Sequence, residues 1–383
     1  MMEKNIDERW MRLALSLGSR GSGQTWPNPF VGCVIVKDSL VVGRGFTQKS
    51  GRPHAEIVAL AQASSHAKDS TVYVTLEPCA HTGKTPPCVD NLIKAGVKKV
   101  VIATIDPDPR VAGQGIKILK DAGVEITLGV LKEEAEQAHS GFFSRLNKKR
   151  PFVSLKIATS IDGRIATQTG NSKWLTGPES RQFVHYLRAT HDAILIGRGT
   201  AEADNPRLDV RGFGKDINQP VRIVIDSDVK IDVNSNLAST ANDVPLLICH
   251  TNKTNFTDIS ATGAVSILCN RSDSGVDLEN AMEQLAQYGL TRVLCEGGGK
   301  LGAALIKANL VDELILMQAG LAIGSEGTAS LGKMDISTLN DAPNFMLKET
   351  RKIGNDTLSI WSKGASEVNT VFASSALLLA HHD

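Results

Sequence analysis

The sequence predicts an α/β protein built as two successive units. Three observations carry this expectation. The chain has 383 residues, and at roughly 100–200 residues per domain that length corresponds to two domains or three. Its composition, 42% hydrophobic and 22% charged, is that of an ordinary globular protein, so each unit can build its own core. Helical and strand periodicities alternate along the chain, which argues for layered α/β architecture.

The first unit reads as follows. Residues 6–19 have helical spacing, with Met11, Ala14, Leu15 and Gly18 on one face. The apolar run 31–36 is broken by Lys37-Asp38-Ser39 and resumes at 40–42, the pattern of a hairpin. Residues 54–67 predict a helix with Ile57, Leu60, Ala61 and Ser64 on its spacing, and residues 71–76 predict a strand. A helix over 88–95 stops at Gly96 before a strand over 97–104, and a helix over 114–122 stops at Gly123 before a strand over 124–128. A connecting helix is expected over 132–150, ending in Lys148-Lys149-Arg150 before Pro151.

A second alternating pattern starts there. Strands are expected at 152–158, 192–197, 220–226, 245–249, 291–295 and 312–318, with helices at 178–189, 277–288 and 300–308. The expected units are 1–147 and 151–364. The tail 365–383 carries an apolar run over 371–380 and has no functional reading.

Composition narrows the function classes. A formal net charge of +1 gives no bulk electrostatic case for a nucleic-acid partner. The charged N-terminal residues do not read as a signal peptide, and no apolar run approaches the ~20 residues that span a bilayer. Six cysteines in this length do not suggest a disulfide framework; in a cytosolic-looking chain, spaced cysteines point to metal or catalysis. A cytoplasmic enzyme acting on small molecules is expected. Cys33, Cys249, Cys269 and Cys295 lie in apolar runs and read as buried structural thiols.

His54-Ala55-Glu56 stands where a loop enters a helix, and Pro78-Cys79 is followed by Cys88 after eight intervening residues. Zinc favours nitrogen and thiolate ligands, and a catalytic zinc keeps three protein ligands and an open position. His54, Cys79 and Cys88 supply that set. Glu56, two residues from His54, can reach a zinc-bound water, whose pKa falls to about 7, and pass its proton to a leaving amine. The zinc-deaminase pattern is H-x-E followed by P-C-x-x-C; this chain departs from it in the long loop, whose His81, Gly83, Lys84 and Thr85 suit an anion. The bland alternatives are a structural zinc site, or one closed by His81 as a fourth ligand.

Together with Thr75-Leu76-Glu77-Pro78-Cys79, Gly83-Lys84-Thr85-Pro86-Pro87-Cys88 and the upstream Pro27-Asn28-Pro29-Phe30-Val31-Gly32, these residues closely resemble the bifunctional riboflavin-biosynthesis deaminase/reductase family. The resemblance runs from about residue 6 to 362. It implies a cytidine-deaminase-like α/β/α sandwich followed by a dihydrofolate-reductase-like α/β domain. It implies zinc-dependent deamination of 2,5-diamino-6-ribosylamino-4(3H)-pyrimidinone 5′-phosphate, with Asn28 on the base edge and His81 and Lys84 on the ribose phosphate. Asn28 as a plain turn residue and Lys84 as a solvated charge are the bland readings.

In the second unit, Val293-Leu294-Cys295-Glu296-Gly297-Gly298-Gly299-Lys300-Leu301 reads as strand, glycine turn and helix, where backbone can approach a phosphate. It is not a Rossmann fingerprint, and alone it also fits a simple turn. With Gly170-Asn171-Ser172-Lys173-Trp174, the 200–211 segment and Ile223-Val224-Ile225-Asp226-Ser227, it resembles the reductase half of the same family. That resemblance implies NADPH contacts at Ala158, Trp174, Thr200, Asp204, Ser227, Gly298, Gly299, Lys300, Leu301 and Gly302. It implies substrate contacts at Ser172, Arg188, Leu208, Arg211 and Glu296, reduction of a ribosyl to a ribityl chain, and a homo-oligomer. As chemistry, Arg188 and Arg211 suit phosphate and Glu296 suits ribose hydroxyls; surface ion pairs for the arginines and core packing for Trp174 are the bland readings. Lys156 could line the same site.

Two further functions compete. One is a nucleoside or tRNA deaminase with an appended nucleotide-binding module, allowed by the zinc signature alone. The other is a non-catalytic interaction protein on a reductase-like fold.

Overall fold

The computed structural model describes residues 2–81, 86–109, 111–214, 217–252 and 256–364. Lys84 and the tail 365–383 lie outside the described residues.

The first unit runs α1 (Met2–Gly18), β1 (Gly32–Lys37), β2 (Leu40–Phe46), α2 (Ala55–Ala63), β3 (Thr71–Val74), α3 (Cys88–Lys94), β4 (Lys99–Ile102), α4 (Gln114–Asp121), β5 (Glu125–Leu128), α5 (Lys132–Ala138) and α6 (Ser140–Asn147). Its sheet has the order β2-β1-β3-β4-β5. The β1 strand pairs antiparallel with β2 and β3, while β3, β4 and β5 are parallel. Alternate residues of each strand feed opposite faces: Cys33, Ile35, Val72, Val100 and Ile102 pack with α2, α3 and α4, whereas Val34, Val36, Tyr73 and Val101 pack with Met11, Ala14 and Leu17 of α1 and Ala135 of α5. The result is a three-layer α/β/α sandwich.

Two local expectations need correction. The buried stripe of α2 is Ala55, Ala59 and Ala63, whereas Ala61 and Ser64 are exposed and Ile57 and Leu60 only half-buried. The cause lies on β2: a Cβ at Gly43 or Gly45 would come 2.3 and 2.4 Å from the Ala59 and Ala55 carbonyl oxygens. Those glycines let the helix backbone approach, so small residues take the contact face. The helix expected over 132–150 is two helices, broken at His139, which is buried between the rings of Phe30 and Phe143 with Nε2 3.2 Å from Thr75 Oγ1.

The second unit runs β6 (Phe152–Ser160), β7 (Arg164–Ala166), α7 (Pro178–Thr190), β8 (Ala193–Gly197), α8 (Arg198–Asp204), β9 (Val221–Ile225), α9 (Asn236–Ser239), β10 (Leu246–His250), α10 (Thr257–Ser260), β11 (Val265–Leu268), β12 (Arg271–Ser272), β13 (Gly275–Val276), α11 (Leu278–Tyr288), β14 (Arg292–Cys295), α12 (Gly299–Lys307), β15 (Glu313–Ala319), β16 (Thr328–Ala329), β17 (Phe345–Ile353) and β18 (Asp356–Lys363). Nine strands form one sheet in the order β11-β10-β9-β8-β14-β6-β15-β18-β17. The strands from β11 through β15 are parallel, and β8 and β10 among them are buried apolar runs, as strands covered on both faces are. The pairs β15–β18 and β17–β18 are antiparallel. Helices α11 and α12 cover one face of the sheet, and α7 to α10 the other.

The basic run before Pro151 is used structurally. The Arg150 guanidinium donates to both carboxylate oxygens of Asp312 at 2.6 and 2.8 Å, and Lys148 Nζ reaches it at 3.0 Å. The same carboxylate accepts the Val153 N–H, so it ties the connection to the first strand of the second sheet.

Candidate active sites

His54 is the last extended residue before α2, so Glu56 falls in the first turn of that helix and is buried, with 3% exposure. Cys79 follows β3, and Cys88 opens α3. The ligand atoms of His54, Cys79 and Cys88 all lie within 4.8 Å of one another. His54 Nδ1 is 3.2 Å from Cys88 Sγ and 3.6 Å from Cys79 Sγ. The Cys88 backbone N–H donates to Cys79 Sγ at 3.3 Å, which places that sulfur at the N-terminus of α3. The hydrogen bond from the Cys88 thiol, with that from His54, holds Cys79 down to about 4 against the opposing effect of burial. His54 is raised, chiefly by its hydrogen bond with Cys79. Burial, then the Cys79 charge, raises the Glu56 carboxyl.

One imidazole and two thiols match the donor preference of zinc, and three ligands leave a position open. His81 does not belong to the group within 4.8 Å. It lines the adjoining cavity of about 240 Å³ together with Asn28, His54, Glu56 and Cys79. Its buried Nδ1 has no hydrogen-bond partner among the described residues.

The cavity also brings in Arg52, Glu77, Asp106, Asp108, Phe142 and Arg145, which the sequence reading did not single out. Glu77 accepts the N–H groups of Gly113 at 3.0 Å and Ile116 at 3.2 Å, so it fastens the start of α4 beneath the site. Burial pushes the Asp106 carboxyl up to about 6. Asp106-Pro107-Asp108-Pro109 follows β4, and turns beyond the carboxyl ends of such strands form ligand crevices. That signal was available; nothing local marks Phe142 or Arg145 on α6.

In the second unit, a trough of about 560 Å³ is lined by Ala158, Ser172, Thr200, Asp204 and Glu296, and by Gly298, Gly299, Lys300, Leu301 and Gly302. The glycine turn leads from β14 into α12, and the Gly298 N–H donates to Thr200 Oγ1 at 3.1 Å. A Cβ at Gly299 would lie 2.8 Å from the Ser330 carbonyl oxygen. Backbone without side chains at a helix N-terminus is a cradle suited to a dinucleotide phosphate. Lys156, Thr328 and Ser330 also line the trough.

Arg188 donates from Nε and Nη2 to Glu296 at 2.6 and 2.9 Å and from Nη1 to the Asp209 carbonyl at 3.0 Å. Burial alone would raise Glu296, but the Arg188 charge, its hydrogen bonds and Lys156 outweigh that and lower it. Burial also lowers the Lys156 ammonium. The other expected contacts stand away from the trough lining. Leu208 is buried, and Arg211 is exposed with Nε 3.3 Å from Asp209 Oδ1. Ser227 Oγ accepts the Val276 N–H at 3.0 Å. Trp174 is 72% exposed under the Arg181 guanidinium, so it is not core packing.

A histidine–dithiol centre beside a buried carboxylate, joined in one chain to a glycine-rimmed reductase fold, defines a zinc-type deaminase fused to a nicotinamide-dependent reductase. Residues 4–104 match the model of the cytidine and deoxycytidylate deaminase zinc-binding region, and residues 151–359 match the RibD C-terminal domain. Riboflavin biosynthesis protein RibD of Haemophilus influenzae is 42% identical, covering 91% of this chain and 95% of that protein. The Escherichia coli protein of the same name is 40% identical over 91% and 97%. The structure of Acinetobacter baumannii RibD, form 2, superposes with a TM-score of 0.85 at 35% identity, covering 94% of this chain and all (100%) of that one. A Thermotoga maritima structure described as a diaminohydroxyphosphoribosylaminopyrimidine deaminase/5-amino-6-(5-phosphoribosylamino)uracil reductase gives 0.84 at 31% identity, over 94% and 100%. The chain belongs to the RibD family of riboflavin-biosynthesis enzymes.

Proposed function

We propose that the chain catalyses two consecutive steps of riboflavin synthesis. Residues 1–147 deaminate 2,5-diamino-6-ribosylamino-4(3H)-pyrimidinone 5′-phosphate. Residues 151–364 then reduce the ribosyl group of 5-amino-6-(5-phosphoribosylamino)uracil to ribityl with NADPH. The observation that carries this is the cluster of His54, Cys79 and Cys88, two of whose members line one cavity with Glu56, Asn28 and His81.

His54, Cys79 and Cys88 would hold zinc, which when bound acidifies water to a pKa of about 7. Glu56, buried at the start of α2, takes a proton and returns it to the departing amine. Asn28 meets the pyrimidine edge, and His81 with Lys84 meets the ribose phosphate. In the second unit NADPH supplies the hydride when bound. The turn from Gly298 to Gly302, with Ala158, Thr200 and Asp204, would hold it in the trough, and Trp174 and Ser227 would meet it beyond that lining. Arg188 holds Glu296 in place for the ribose hydroxyls through two hydrogen bonds; Ser172 would border the substrate in the trough, and Leu208 and Arg211 would meet it beyond that lining.

The enzyme is expected to work in the cytoplasm as a homo-oligomer, with phosphorylated pyrimidines and no nucleic acid as partners. Among the described residues no helix is long and apolar enough to cross a membrane. Metal analysis combined with a two-step assay tests this function. Zinc-dependent ammonia release followed by NADPH oxidation is expected; turnover of free cytidine or of a tRNA anticodon loop instead would overturn it.

A further inference from the structure

The residues lining the deamination cavity all belong to the first unit, but part of that wall is braced by the second. The segment that presents Asn28 begins at Trp26 and Pro27, and both sit on the C-terminal end of α11 in the second unit. The rings of Trp26 and Tyr288 stack at 6.2 Å with an interplanar angle of 28°. Trp26 packs against the hydrophobic core of the second sheet. Gly289, with φ +116°, lies so close that a Cβ there would meet Pro27 Cβ at 3.3 Å. Arg145, which also lines the cavity, donates from Nε to the Ala286 carbonyl, likewise in the last turn of α11, at 2.9 Å. Two separate parts of the cavity wall therefore rest on one helix end of the reductase unit.

Inside the first unit the same segment is tied to Asn28 by short links. The Asn28 N–H donates to the Thr25 carbonyl at 3.0 Å, and Thr25 Oγ1 donates to the Asn28 carbonyl at 3.0 Å. Gly51 packs beneath the Asn28 amide, where a Cβ would lie 2.1 Å from Nδ2. The amide is thus fixed from below by Gly51 and along the chain by Thr25, and the remaining freedom of the segment is set at Trp26.

We infer that Tyr288 is a positioning residue for deamination: from the reductase unit it holds Trp26, and through it Asn28, against the pyrimidine subsite. This rests on Asn28 meeting the base, as proposed above. Tyr288 touches no reacting atom and is 40% exposed, so its effect should appear in substrate affinity and not in the proton transfer that Glu56 performs.

The test uses the zinc-loaded full-length enzyme. Ammonia release from the diaminopyrimidinone ribose phosphate and NADPH oxidation with the deaminated product are followed on the same preparations. Tyr288→Ala should raise KM for deamination about tenfold while kcat stays within about twofold. Zinc content and reduction should be unchanged. Tyr288→Phe should behave as the parent, because the ring stack remains. In an Asn28→Ala background Tyr288→Ala should add almost nothing, since the two act through one group. Trp26→Leu removes the stack from the other side and should reproduce the split, which covers the case of a poorly folding Tyr288→Ala protein. Full additivity of the two substitutions, or unchanged KM in both Tyr288→Ala and Trp26→Leu, overturns the positioning role alone. Unchanged KM in Asn28→Ala itself overturns base recognition by Asn28 and the inference with it.

Discussion

The two sites of this chain are built from different materials. In the first unit, three side-chain atoms lie within 4.8 Å of one another beside a cavity of about 240 Å³. In the second, a trough of about 560 Å³ is rimmed by glycine backbone and by Glu296, whose carboxylate Arg188 pairs from behind the lining. The first concentrates its chemistry in a few side chains; the second spreads recognition over main chain and leaves the hard chemistry to a cofactor. Single substitutions should therefore be far more damaging to chemistry in the first. Glu56→Gln keeps the shape of the cavity but removes the proton carrier. It should lower kcat for deamination by about 10²–10⁴-fold, while NADPH-dependent reduction by the same protein is unaffected. Ammonia release near the parental rate would remove Glu56 from the chemistry and collapse the contrast.

Arg188 tests the second site in the currency of stability. Its side chain and that of Glu296 are 13% and 10% exposed. Arg188→Met strands a carboxylate in that environment and should cost roughly 3–5 kcal/mol, because an unpaired buried charge outweighs the worth of the pair. Reduction should be lost together with stability, and deamination retained. Adding Glu296→Gln should recover stability without recovering reduction. Urea unfolding followed separately for each activity reads both effects.

Acid should strain the two units through one histidine each. Burial lowers His139 in the first unit to about 4, and burial, helped by the Arg292 charge, lowers His191 in the second to about 3. His191 Nδ1 lies 2.7 Å from the Leu187 carbonyl, a bond that opposes the shift without cancelling it, and its Nε2 lies 3.0 Å from Ser154 Oγ. Both folded values lie below the unfolded 6.5, so the unfolded chain takes up protons first. The stability each contributes is complete above about pH 6.5 and falls as pH drops toward the folded values, by on the order of 3 kcal/mol per group. Urea midpoints measured between pH 7 and pH 4 should fall for both units. A midpoint that stays flat in a His139→Gln protein would assign the first unit's loss to that residue.

The same contrast explains what was legible beforehand. His54, Glu56, Cys79 and Cys88 announce themselves because metal ligation demands particular side chains at short spacing. The alternating elements were legible because the central parallel strands are mostly apolar, β8 (AILIG) and β10 (LLICH) most plainly. The contact face of α2 was not, since it is decided by Gly43 and Gly45 on another strand. The β17–β18 hairpin escaped for a related reason: β17 is exposed over almost its whole length, so FMLKETRKI shows no buried alternation. Arg145, Thr328 and Ser330 reach their cavities only through tertiary packing, and no local pattern marks them.

Gly299 offers the finest test of a backbone-built site. A Cβ there would stand 2.8 Å from the Ser330 carbonyl oxygen and 3.1 Å from that of Ala329. Both atoms are main chain, so neither can swing aside as a side-chain end would. Gly299 also opens α12, next to the Gly298 N–H held by Thr200. Gly299→Ala should push the turn away from the β16 segment by a few tenths of an ångström and weaken NADPH binding by about tenfold, some 1.4 kcal/mol. Deamination should not respond at all. Fluorescence titration with NADPH reads the effect without turnover. Equal affinity in the variant would mean that the phosphate cradle tolerates a methyl group, and that the trough recognises its cofactor mainly through side chains after all.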